Sequence, residues 1–205
     1  MERAQFESDV AAIGGNQERP RAKMRAAMAL FPSTTSGLPP LTDEGLLPPG
    51  DYAPTRAEFE QSFVHVGNFI RRAEIYAGWN RHRNRLREDG LAPSARELLD
   101  GSFTSSRWEP RDIDIVVEYP VTSTELRMLT PTSPINRLLQ GGLLRSELNC
   151  DAYPLYTLPE DDPAYEKVTV ASLRYWMKWF GRTRLGIEKG RVWASVGGFD
   201  EHFRH

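Results

Sequence analysis

Apolar residues along this chain fall into helical stripes and strand-like runs. Phe59, Phe63, Val66 and Ile70 stand at i, i+4, i+7 and i+11, the stripe of an amphipathic helix. Thr55-Arg56-Ala57-Glu58 has the form of a capping box, so the spacing predicts a helix from Thr55. Tyr76 and Trp79 extend it, past a kink near Gly67, to a stop at Asp89-Gly90. Leu173, Trp176, Met177 and Phe180 give another stripe, with Gly181 placed to end it. A shorter helix carrying Leu126 and Leu129 is expected after a further capping box, Thr122-Ser123-Thr124-Glu125. Strand-like runs cover 96–103, 112–119 (closed by Pro120), 147–156 and 191–196. The expected fold class is α+β, a small mixed β-sheet with flanking helices.

The N-terminal fifth reads differently. A short helical stretch fits 24–30, while Gly14-Gly15 and Pro20 interrupt anything longer, and Met24 is a second candidate start. Residues 31–54 hold Pro32, Pro39, Pro40, Pro48, Pro49 and Pro54, which suits an extended linker or a wrapping segment rather than a core element. Leu38, Leu41, Leu46 and Leu47 within it argue that it packs on something. We therefore expect an N-terminal arm over 1–40 and one domain over 41–205. The arm is a candidate contact for a partner protein or a second copy.

Composition narrows the class. The chain has 205 residues, 40% of them hydrophobic, enough for one core. A net charge of −2 gives no global case for a nucleic-acid coat. The single cysteine, Cys150, excludes an internal disulfide framework and a multi-cysteine zinc site. The histidines share no ligand spacing. No apolar run reaches the roughly 18–20 residues that span a bilayer, and the N-terminus lacks a signal-peptide core. A cytoplasmic protein with no membrane partner is expected. Basic residues gather at Arg71, Arg72, Arg81, Arg83, Arg85 and Arg87, and again at Arg174, Lys178, Arg182, Arg184, Lys189 and Arg191. The plain reading of the first group is a solvated helix face.

The candidate chemistry lies at Asp100-Gly101-Ser102-Phe103 and Asp112-Ile113-Asp114-Ile115, with nine residues between Ser102 and Asp112. Side chains alternate along a strand, so Asp112 and Asp114 share a face. Paired carboxylates suit a hard divalent cation. Gly101 would let backbone N–H groups approach phosphates, and Ser102 would donate its hydroxyl. A third carboxylate from a neighbouring strand is expected to be Asp151, with Glu147 as the fallback.

Gly-Ser, a nine-residue spacer and Asp-Ile-Asp-Ile resemble the signature of the DNA polymerase beta-like nucleotidyltransferase superfamily. The signature has a hydrophobic residue where this chain has Asp100. The resemblance implies a palm-like nucleotidyltransferase fold, with the triphosphate on Gly101 and Ser102 and Mg²⁺ (or Mn²⁺) on Asp112 and Asp114. Leu47-Pro48-Pro49-Gly50-Asp51-Tyr52, Asp100-Gly101-Ser102-Phe103-Thr104, Pro110-Arg111-Asp112-Ile113-Asp114 and Trp176-Met177-Lys178-Trp179-Phe180-Gly181 with Lys189-Gly190 are also similar to a small prokaryotic and phage family of unknown function, described as nucleotidyltransferase-like. That likeness spans about 41–195.

The expected activity is transfer of an NMP unit from an NTP to a hydroxyl on a protein, a tRNA or a small molecule. Asp112, Asp114 and Asp151 would be the catalytic and metal-binding residues. Arg182 and Arg184 are candidate clamps for the triphosphate, since guanidinium forks suit phosphate. The resemblance implies a toxin–antitoxin or phage-defence setting. The alternative is an inactive domain that binds a nucleotide, RNA or a partner protein without turnover.

Overall fold

A computed structural model describes residues 31–199. The expected helix over 24–30 and most of the arm lie outside the described residues. Six strands form one mixed sheet: β1 Thr35–Ser36, β2 Asp51–Ala53, β3 Arg96–Asp100, β4 Ile113–Pro120, β5 Cys150–Thr157 and β6 Arg191–Ser195. Their order is β1-β2-β6-β3-β4-β5. The β3 strand runs antiparallel to both neighbours, whereas β1–β2, β2–β6 and β4–β5 are parallel. The expectation of an α+β protein with a mixed sheet and flanking helices holds at that level.

The helices around the sheet are α1 Arg56–Phe59, α2 Phe69–Glu88, α3 Ser123–Met128, α4 Pro134–Arg137, α5 Arg145–Leu148 and α6 Ala171–Phe180. A π-helical turn, Glu60–Val64, continues α1. The two expected capping boxes are present. Thr55 Oγ1 accepts from Glu58 N at 3.2 Å and Glu58 Oε2 accepts from Thr55 N at 2.7 Å, with the same reciprocal pair at Thr122 and Glu125. Gly181 ends α6.

The stripe expected to run from Phe59 to Ile70 stops short. Phe59 and Phe63 are fully buried, but Ile70 is 61% exposed. Gly67 turns the chain at φ +57, and the Asn68 side chain then accepts from Arg71 N, starting a new helix with a new phase. The buried stripe of α2 runs Arg72, Ile75, Trp79, Arg83 and Leu86. Two of the arginines read as solvated therefore belong to the interior. Arg83 pairs with Glu97 at 2.6 Å and lies over the Trp79 ring, whose indole N–H also donates to Glu97.

Each face of the sheet has its own core. Leu99, Ile113, Ile115, Val117, Ala152 and Val192 pack with Phe59, Phe63, Ile75 and Trp79. Leu98, Val116, Leu155 and Trp193 on the opposite face pack with Leu173 and Phe180 of α6. A strand buried on both sides reads as an apolar run rather than an alternation, which is why Ile113–Val117 interrupts its run only at Asp114.

The proline-rich segment is more than a wrap. Leu47 is 1% exposed, Leu38 and Leu41 pack against the main core, and β1 and β2 join the sheet. The β1 strand lies ahead of position 41 and is hydrogen-bonded to β2. No helix among the described residues is long and apolar enough to cross a membrane.

Candidate functional site

The polar positions of three neighbouring strands converge at one edge of the sheet. Asp100 on β3 is the register partner of Asp114 on β4, and Asp114 is the partner of Asp151 on β5. Asp112 lies two residues before Asp114, so it shares that side of the strand. Asp100 and Asp114 each stand two residues from a member of the α6-side core, Leu98 and Val116, which puts the row on that face.

Burial and mutual repulsion raise two of these acids. Burial pushes Asp114 up to about 6, and the like charges of Asp112 and Asp151 add to it. Burial also lifts Asp100 to about 7 against the pull of Lys189, with Asp114 adding to the rise. Two basic side chains answer the cluster. Arg145 pairs through Nε with Asp112 at 2.5 Å and through Nη2 with Asp151. Lys189, itself buried, pairs with Asp100.

The turn after β3 places Gly101 against this row. Its φ is +84, and a Cβ there would lie 1.8 Å from Asp114 Oδ2. Only glycine fits both the backbone and the carboxylate. Neighbouring arginines of α2 hold the loop between the Gly-Ser turn and the acidic pair. Buried Arg72 donates from Nη1 to the carbonyls of Phe63 (2.7 Å) and Phe103 (2.8 Å), and from Nη2 to those of Ser105 (2.8 Å) and Arg107. Arg71 donates to the carbonyls of Pro110 and Arg111. Asn68 N donates to Trp108 O at 2.8 Å. Six carbonyls between 103 and 111 are thus tied to the start of α2.

Beyond Lys189 opens a cleft of about 430 Å³ lined by Pro49, Gly50, Met177, Lys178, Gly181, Arg182, Glu188, Lys189 and Arg191. Arg191 is held there by Asp51, which accepts from Nε at 2.9 Å and from Nη2 at 2.7 Å. The site therefore has an acidic end at β4 and β5 and a basic end at β6 and the C-terminus of α6. Lys189 belongs to both.

The expected site residues divide accordingly. Asp112, Asp114 and Asp151 come together, and Gly101 touches Asp114. Ser102 is part-exposed in the turn. Arg182 lines the basic cleft and pairs with Glu188 at 3.0 Å. Arg184 is exposed and does not line it. Glu147, the fallback ligand, is not on a strand: it lies in α5 and pairs with Arg85 at 2.5 Å. The β5 strand begins at Cys150, after Asn149 turns the chain at φ +54. Cys150 is buried, and burial raises its thiol far above the ordinary value.

Asp100, Arg145 and the Arg71–Arg72 pair were not foreseen as parts of the site. Asp100 did leave a signal, a charged residue where the motif has a hydrophobic one. Arg145 left none, because only the fold of α5 beside β5 brings it to Asp112. Among the described residues, no set of three or more His, Cys, Asp or Glu side chains is disposed to hold a metal ion as it stands. Arg145 lies between two of the carboxylates.

Fold and site together define an α+β protein with a row of carboxylates at one edge of a mixed sheet, beside a Gly-Ser turn and a basic cleft. The chain belongs to a family of unknown function, DUF6932, whose profile matches residues 39–195. No curated protein and no solved structure matches it.

Proposed function

We propose that this protein is a divalent-cation-dependent nucleotidyltransferase, moving an NMP unit from an NTP to an acceptor hydroxyl with release of pyrophosphate. The observation that carries the reading is the pairing of Asp114 with Asp151 in adjacent strands, with Asp112 on the same side and Gly101 packed on Asp114.

In kind, the donor set suits Mg²⁺ or Mn²⁺, with its three carboxylates not arranged around an ion as they stand. It is all carboxylate oxygen, as hard cations prefer. Asp151 is 4% exposed, and its Oδ1 is buried without a hydrogen-bond partner. A buried carboxylate oxygen left so is costly unless something binds it. Asp112, Asp114 and Asp151 would hold the cation. When bound, it supplies neutralisation of the triphosphate charge.

The remaining tasks fall to the chain itself. Across a trans peptide, the C=O of one residue and the N–H of the next point in opposite directions. The carbonyls of Ser102 and Phe103 face Ser105 and Arg72. The N–H groups of Phe103 and Thr104 face away from those donors but belong to buried residues, so the part-exposed Gly101 and Ser102 are the turn residues that would meet a phosphate. Lys178, Arg182 and Lys189 would draw the β- and γ-phosphates toward the basic end. The α-phosphate would then lie over the carboxylates, with the acceptor hydroxyl on its far side.

The test is label transfer from each α-³²P-labelled NTP with Mg²⁺ or Mn²⁺, in the presence and absence of tRNA and lysate. Label on a macromolecule is expected from the wild type and not from an Asp112→Ala/Asp114→Ala double variant. No label from folded wild type under any of these conditions would refute transfer and leave a nucleotide-, RNA- or partner-binding module.

A further inference from the structure

We infer that Arg145 is a resident counter-cation of the carboxylate cluster, and that a divalent ion loads by competing with its guanidinium for Asp112 and Asp151. The inference rests on the reading of that cluster as a cation site. It adds a device that sets how readily the site loads.

The geometry is specific. The guanidinium spans the cluster, with Nε on Asp112 and Nη2 on Asp151. A planar fork with several donors makes such a bridge, and a single ammonium does so less well. The two carboxylates it holds are those flanking Asp114, whose own carboxyl is packed against Gly101. The bridge therefore occupies the approach on which a shared cation would need both oxygens. Oδ1 of Asp151 is left unpartnered, but an ion seated between the two Oδ2 atoms competes with Arg145 for the same charge.

Arg145 is also built to leave. Its side chain is 53% exposed, whereas those of Asp112 and Asp151 are 15% and 5% exposed. Asp151 is fixed on β5 and Asp112 directly precedes β4, whereas the base stands on a four-residue helix. Upstream of it, Gly141 has φ +62, and a Cβ on Gly142 would come within 3.3 Å of the Arg145 guanidinium carbon. The guanidinium thus lies along bare glycine backbone on one side and solvent on the other. Lys189 contrasts with it: buried and paired with Asp100, it remains with the cluster in either state.

The direct test is Mn²⁺ binding to the full-length protein without nucleotide, followed by the EPR signal of free Mn²⁺. Arg145→Gln removes the competing charge at similar size, and Arg145→Lys keeps the charge but loses the fork. Displacing a half-exposed pair of contacts corresponds to a gain in Mn²⁺ affinity of about tenfold for Arg145→Gln, with Arg145→Lys between it and wild type. Circular dichroism establishes that each variant is folded. Equal or weaker binding by folded Arg145→Gln overturns the inference. If Asp114→Asn still abolishes binding in that case, the cation site itself stands. Absence of Mn²⁺ binding in wild type and every variant overturns both. Tighter binding by Arg145→Gln without NMP transfer by any protein upholds the competition and rejects the transferase.

Discussion

Replacing Arg72 with methionine is the sharpest perturbation of the scaffold beneath the site. Methionine approximates the length of the stem but removes every donor. Three of the hydrogen bonds made by Arg72, to the carbonyls of Phe63, Phe103 and Ser105, are fully buried, and the fourth, to Arg107, is partly so. A buried carbonyl left without a donor costs about 1–3 kcal/mol. Relief of the buried guanidinium's desolvation and entry of water near Arg107 offset part of this. The net expected loss is ~3 kcal/mol, which for a domain of this size lowers the melting temperature by ~6–12 °C. Lysine keeps the charge but cannot reach four carbonyls from one ammonium, so Arg72→Lys should fall between the two. Equilibrium urea denaturation gives the stability difference directly. The same loop leads into Asp112, so Mn²⁺ affinity should fall in Arg72→Met even under conditions where the protein is fully folded. A folded Arg72→Met protein within ~0.5 kcal/mol of wild type would refute the claim that this arginine holds the loop.

Further expectations concern the carboxylate row. Gly101→Ala places a Cβ 1.8 Å from Asp114 Oδ2 at φ +84; a loss of ~2–3 kcal/mol and of Mn²⁺ binding is expected, measured by melting and EPR. Asp114 and Asp100 have folded values of about 6 and about 7 against an ordinary 3.8, so the folded state holds protons that the unfolded chain has released. Their contribution to stability is fully present below about pH 4 and is lost as pH rises through 6 to 7. Denaturation across that range should show the decline in metal-free protein, and Asp114→Asn should flatten it and gain ~2 kcal/mol at pH 8. Glu147→Gln should leave Mn²⁺ binding unchanged and stability within ~0.5 kcal/mol, since its partner Arg85 is a surface side chain, whereas Asp151→Asn should abolish binding.

Local chemistry decided much of this protein before any tertiary contact was known. A capping box needs only four consecutive residues, so the starts at Thr55 and Thr122 were legible, as was the α6 stripe ending at Gly181. An Asp-x-Asp at the head of an apolar run fixes two carboxylates on one side by the pleat alone. Asp151 could be named because it lies at the centre of the next strand-like run, 147–156. Its alignment opposite Asp114 depended on strand register, which the sequence does not state.

What only the tertiary structure decided are pairings over long separations and reversals of burial. The arginines at 72 and 83 carry the same sign and stem as their exposed neighbours. They are interior because Gly67 resets the phase of α2 and because backbone carbonyls and Glu97 await them. The proline-rich segment enters the sheet because the edge of β6 accepts β2 in parallel, a partner 140 residues away at the Asp51–Arg191 pair. Arg145 reaches Asp112 because α5 folds beside β5. A sequence carries its short-range geometry in its spacing. Which charges meet across the sheet is set only when hydrophobic burial brings the strands together.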